Sequence, residues 1–159
     1  MTGPQTREAE LDAVTDAVLL SSRALVAVAS RSIAAVDESV TLPQFRALVV
    51  LEPAAAGMTV GELARELRIQ PSTATRLCDR LVHRRLARRR TNPADRREVT
   101  VLLTASGREI VEEVTGRRRE EIAGIMARVP ASKRKAIIDA LTAFREAAGE
   151  DELVPSVPW

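Results

Sequence analysis

Ser72, Thr73, Arg76 and Arg80 share one side of a helical pattern over roughly residues 71–84, opposite the apolar stripe of Ala74, Leu77, Cys78 and Leu81. Thr75 lies at the flank. Short hydroxyls in the first turn allow close approach to a polar edge. The two arginines, four residues apart, can fork onto guanine or hold phosphate. A second set follows at Asp95, Arg96 and Arg97, beside the turn signal Asn92-Pro-Ala-Asp95. Arginines at the tip of a hairpin suit the negative potential of a narrow minor groove.

Charge supports the same chemistry. The chain has 159 residues and a formal net charge of only +2, but Val60–Val99 holds eleven arginines against five acids, leaving −4 for the remainder. A localised basic field on a near-neutral chain is the footprint of a nucleic-acid site. Arginine supplies 22 of the 24 basic residues, and it is the better fork for phosphate and guanine.

Other chemistries find little support. There is no nucleophile–base pair, paired acid motif, Gly-rich phosphate loop or metal cluster, so no catalytic residue, metal or cofactor is expected. His83 is the only histidine, and Cys78 the only cysteine. Cys78 falls on the buried stripe, which favours a structural role. A redox-responsive regulator acting through Cys78 stays open, because oxidation there would disturb the helix directly. Aromatics make up 2% of the chain, which argues against base stacking on single strands. No apolar run approaches the ~18 residues of a bilayer span, and MTGPQTREAELD lacks a signal-peptide layout. These features point to a cytoplasmic protein with no membrane partner.

The elements that must hold these residues are legible. Leu11, Val14, Val18, Leu25, Ala29, Ile33 and Val36 recur at helical spacings over 7–36, a helix too long for so small a domain to cover and therefore expected to pack on a partner chain. Thr41-Leu-Pro-Gln44 and Thr59-Val-Gly-Glu62 are capping boxes, opening helices with Phe45, Leu48, Val49 and Leu51, and with Leu63, Ala64 and Leu67, inward. Ala54–Gly57 is a linker. Pro71 opens the next helix. Leu86–Thr91 and Val99–Leu103 alternate as strands of a hairpin. Thr104 caps a helix over 105–129, with Ile110, Val111, Val114, Ile122, Ile125 and Met126 as its stripe. Arg117–Arg119 with Glu120 and Glu121 reads as a solvated, ion-paired surface. A last helix, 131–148, has Ile137, Ile138, Leu141 and Phe144 inward. The tail 149–159 is expected to be loosely ordered. The fold expected is mainly α (α+β): a winged helix-turn-helix lobe over 41–104, flanked by a helical dimerisation region, 7–40 and 105–148.

Asp95-Arg96-Arg97 followed by Val99-Thr-Val-Leu-Leu103-Thr104-Ala-Ser-Gly107, with Ser72-Thr-Ala-Thr-Arg76-Leu-Cys-Asp79-Arg80-Leu81 upstream, resembles the MarR family (multiple antibiotic resistance regulator) of winged helix-turn-helix transcription factors. The resemblance covers about residues 10–148. It implies an intertwined homodimer, a palindromic double-stranded DNA operator with half-sites about one helical turn apart, and repression relieved by a small anionic or aromatic effector. It carries DNA contact onto Ser72, Thr73, Thr75, Arg76 and Arg80. It also implies that Asp95 pairs with Arg97 while Arg96 or Arg97 enters the minor groove. The family places Gly where this chain has Arg85; that arginine must tolerate a left-handed backbone or end the helix differently, and it adds a phosphate contact to the expected set. Ser21, Ser22 and Arg23 are candidates for lining an effector crevice, with Arg23 on a carboxylate. The competing reading from another class is a winged-helix module for protein–protein assembly.

Overall fold

The computed structural model describes residues 4–91 and 99–149. The chain runs α1 (Pro4–Val36), α2 (Leu42–Leu51), β1 (Met58–Thr59), α3 (Val60–Leu67), α4 (Pro71–His83), β2 (Ala87–Thr91), β3 (Val99–Leu103), α5 (Ala105–Ala127) and α6 (Ala131–Ala147). The turn at 92–95, the tip residues Asp95, Arg96 and Arg97, and the tail from residue 150 on lie outside the described residues.

Both capping boxes form. The Thr41 hydroxyl accepts from Gln44 N while Gln44 Oε1 accepts from Thr41 N at 2.8 Å, and Thr59 and Glu62 repeat the exchange. Each satisfies amides that a helix start leaves open, worth about 1 kcal/mol. The core gathers Phe45, Leu48, Val49 and Leu51 of α2, Leu63 and Leu67 of α3, Leu77, Cys78 and Leu81 of α4, Val101 and Leu103 of β3, and Val111 and Val114 of α5. The apolar spacings of the lobe thus converge on one centre.

The sheet has three strands in the order β1-β3-β2, all antiparallel. β1 was not anticipated, because a two-residue strand shows no periodicity and Thr59 reads equally well as a helix cap. Met58 faces Val101 across the ladder. Gly57 makes this possible: its φ is +84°, and a Cβ there would stand 2.7 Å from Leu102 Cγ. The Ala54–Gly57 linker is thus a turn feeding the sheet.

Two apolar patterns depart from expectation. On α6, Ile138, Leu141 and Phe144 are not inward; they are 64%, 57% and 55% exposed, and no residue of α6 is buried. In the single chain α6 makes no more than marginal contact with any other described element. On α1 only the last turns are covered, through Val28, Ala29, Ser32 and Ile33, whereas Leu11, Val14, Leu19, Leu20, Leu25 and Val26 are exposed. Between Thr6 and Val36 an eighteen-residue stretch reaches a mean hydropathy of 1.5, long and apolar enough to cross a membrane by length and composition. This corrects the reading that no apolar run approaches that length: Arg23, Arg31 and scattered serines break every unbroken run while hardly lowering the average.

Candidate nucleic-acid interface

α3 and α4 form the helix-turn-helix. Leu63, Ala64 and Leu67 of α3 are buried, as are Ala74, Leu77, Cys78 and Leu81 of α4. With that stripe held inward, Ser72, Thr73, Thr75, Arg76, Asp79, Arg80 and His83 are left exposed on one helix face. Arg76 and Arg80 are one turn apart, close enough to address neighbouring groups on one ligand. The Thr75 hydroxyl donates to Pro71 O at 3.0 Å, so its proton is committed to the helix.

The end of α4 settles the question posed by Arg85. Its φ is +60°, so it takes the left-handed conformation that glycine adopts freely. Arg85 N donates to Val82 O and Leu86 N to Leu81 O, both at 2.9 Å. That pair of bonds is a Schellman ending, with Leu81 and Leu86 both buried beneath it. α3 ends the same way: Arg68 has φ +53°, and Ile69 N donates to Ala64 O at 2.9 Å. Both helices of the reader therefore close on a left-handed arginine, and the Arg85 side chain is exposed.

The Leu-Thr-x-x-Gly motif locks this ending to α5. Thr104 Oγ1 donates to Arg85 O at 2.7 Å and accepts from Gly107 N at 3.1 Å, while Thr104 N donates to Leu86 O at 3.1 Å. A Cβ on Gly107 would lie 2.1 Å from Leu86 O. Only glycine lets the first turn of α5 approach Leu86, just past the end of the recognition helix, so closely.

β2 continues with Arg88, Arg89 and Arg90 exposed. Arg89 pairs with Asp79 of α4, and Arg90 donates to Ala56 O. Arg84 pairs with Asp37 at 2.6 Å. Arg84 and Arg89 are thus paired with carboxylates, whereas Arg90 keeps its charge on a neutral carbonyl, so Arg76, Arg80, Arg85, Arg88 and Arg90 contribute to the outward field. Asp37 is held below its ordinary value of 3.8, first by the Ser39 hydroxyl and then by Ser39 N and Arg84, against an opposing effect of burial.

Cys78 is fully buried, and burial pushes its thiol up from an ordinary 9.0. Arg89 opposes that shift and Asp79 adds to it. A protonated, enclosed thiol is a poor nucleophile.

A cavity of about 390 Å³ opens between α1, α2 and α5, lined by Leu25, Val26, Ala29, Leu42, Phe45, Arg46 and Arg118. Ser21, Ser22 and Arg23 do not line it; the two serine hydroxyls donate to Ala17 O and Leu19 O of their own helix. Arg118 departs from the solvated, ion-paired surface expected for Arg117–Arg119. In the Arg117–Arg119 run, Arg117 pairs with Glu113 one turn back and Glu121 pairs with Arg31, as a solvated surface would. Arg118 instead turns inward: its Nε is buried without a hydrogen-bond partner among the described residues, and burial lowers its pKa from the ordinary arginine value. Its position seven after Val111 and four after Val114 was the available signal, since that spacing puts it on the buried stripe.

Residues 39–98 match the profile of the MarR family. Across most of its length the chain is also similar to a solved structure, RV1404 from Mycobacterium tuberculosis, with 45% identity, 87% of this chain and 94% of that one covered, and a TM-score of 0.79. The chain belongs to the MarR family. Among curated proteins it is 39% identical over 82 residues to YsmB of Bacillus subtilis, an uncharacterized HTH-type transcriptional regulator. The match covers 52% of this chain and 56% of YsmB, so the chain spans about half the length of the curated relatives it matches. A Staphylococcus aureus MepR mutant bound to an oligodeoxyribonucleotide shares the fold, with 20% identity, 85% of this chain and 97% of that one covered, and a TM-score of 0.65. The winged-helix MarR architecture expected from the sequence is the one observed.

Proposed function

We propose that this MarR-family chain is a sequence-specific, double-stranded-DNA-binding transcriptional regulator, acting as a homodimer that represses from a palindromic operator. The observation that carries the reading is the exposed face of α4. Ser72, Thr73, Arg76 and Arg80 stand clear of the core on a helix held by both neighbours, with Arg85 exposed at its end. Thr75 flanks them, and Asp95, Arg96 and Arg97 extend the set by the family resemblance. In this reading the hydroxyls and arginines of α4 enter the major groove, Arg85 takes a phosphate, and Arg96 or Arg97 reaches the minor groove.

The exposed apolar residues of α1 and α6 support the dimer. Leu11, Val14 and Leu25 on α1, and Ile138, Leu141 and Phe144 on α6, leave each helix with exposed large apolar side chains that a second copy would cover. A second copy covering α1 accounts for its hydropathy without a membrane, which fits a cytoplasmic regulator. Two-fold symmetry would then set two copies of α4 about one helical turn apart on DNA.

The cavity between α1, α2 and α5 is where we place a small anionic, largely apolar effector. Leu25, Val26, Leu42 and Phe45 would hold its body, and Arg46 and Arg118 its acid group. The Nε of Arg118, buried and without a hydrogen-bond partner among the described residues, supports an anion there.

Salt dependence of binding to a mixed-sequence duplex tests the nucleic-acid reading. Several phosphate contacts give a steep fall in affinity between low and moderate salt. A flat dependence would favour the assembly-module reading instead.

A further inference from the structure

We propose that Asp37, Ser39 and Arg84 form a polar joint that positions the recognition helix, so that the end of α1 sets the angle at which α4 meets DNA. The proposal rests on the DNA-binding reading above and goes beyond the residues that would touch DNA.

The geometry is specific. Arg84 is the residue at which α4 ends. One guanidinium nitrogen donates to Ser39 O and the other to Asp37 Oδ2 at 2.6 Å. The carboxylate's other oxygen accepts from Ser39 N at 2.9 Å and from Ser39 Oγ. The Asp37 backbone is tied in turn to the last turn of α1, with its N donating to Ile33 O at 2.9 Å, and Val40 N closes the turn on Asp37 O at 3.0 Å. A guanidinium bonded at two of its nitrogens to one turn fixes direction as well as distance.

The surroundings make this joint a direct polar connection between two helices that otherwise meet through α2 and the shared core. α1 and α4 have no more than marginal direct contact. Beside the joint is an unfilled space of about 540 Å³ lined by Ser39, Gln44, Asp79, Arg80, His83 and Arg84. Side-chain exposures of 23% for Arg84 and 29% for Asp37 make this the least exposed ion pair among the described residues. Shifts of the α1 end would therefore reach α4 directly through these bonds, beside the indirect route through the core that Ile33 and Leu81 share. The next residue, Arg85, already occupies a left-handed backbone, so this helix end has little freedom to absorb a displaced Arg84.

Substituting Asp37 separates this role from a direct electrostatic one by sign. Removing an acid beside a basic DNA face should tighten DNA binding if charge alone matters. It should weaken recognition if the joint positions α4. The test uses the full chain and two duplexes: one enriched from a random-sequence library by the wild-type protein, and a scrambled duplex of equal length. For Asp37→Asn we expect about a tenfold loss on the enriched duplex, with affinity for the scrambled one unchanged or higher. Arg84→Lys keeps the charge but not the two-pronged geometry, and should show the same selective loss with an unchanged salt slope; it carries the test if Asp37→Asn does not fold. Equal or tighter binding of the enriched duplex by a folded variant would overturn the joint. A parallel loss on both duplexes would overturn it as well, since general weakening reports charge or stability. Failure of the wild-type protein to enrich any duplex from the library would instead refute the DNA-binding reading.

Discussion

Arg85 brings two effects together at one residue. Its backbone is left-handed, which costs a side-chain-bearing residue about 1 kcal/mol relative to glycine, while its guanidinium is exposed next to the reading face. Arg85→Gly should therefore raise thermal stability by roughly 1 kcal/mol and lower DNA affinity, with the salt slope reduced by about one. Calorimetry and duplex titration at several salt concentrations check the two halves separately. Asp37 gives a pH signature at the same scale. Its folded pKa is depressed, so its contribution to stability is present above the unfolded pKa and is lost as pH falls through the folded one. Acid unfolding of Asp37→Asn should consequently show a shallower loss of stability than wild type below about pH 3.8, the ordinary value from which the group is shifted.

The wing and the recognition helix meet at Thr104. Its hydroxyl serves the end of α4 through Arg85 O and the start of α5 through Gly107 N. Thr104→Val keeps the shape but orphans both groups, and should cost about 1–2 kcal/mol in urea unfolding. The Asp79–Arg89 pair links the same two elements, but both side chains are about half exposed, so little stability follows from it. Most of this scale was readable from the sequence, because capping boxes, Pro71 and the α4 stripe are local signals that the core reinforces. The Leu-Thr-x-x-Gly run was legible as a motif, although its reason, the close approach of Gly107 to Leu86 O, needed the fold. β1 was hidden because two residues have no period. Arg118 was hidden because it sits in a charged run while its helical phase points inward, and the Asp37–Arg84 joint because its partners are 47 residues apart.

At the scale of the whole molecule, the inward residues predicted for α6 are exposed in the single chain. The periodicity of Ile138, Leu141 and Phe144 marks a buried face without saying whose surface buries it. If a second copy does so, Ile138→Asp combined with Leu141→Asp should shift sedimentation from dimer to monomer, since each charge would have to be buried unpaired. Loss of the dimer should also remove any preference for two-fold-symmetric DNA while leaving the basic face of α4 in place. The central claim, that α4 reads double-stranded DNA in symmetric pairs, is tested most directly by selecting bound duplexes from a random-sequence library with the full chain. The account predicts enrichment of a palindrome whose half-sites are centred about one helical turn apart. Enrichment of no two-fold-symmetric sequence at all would contradict it.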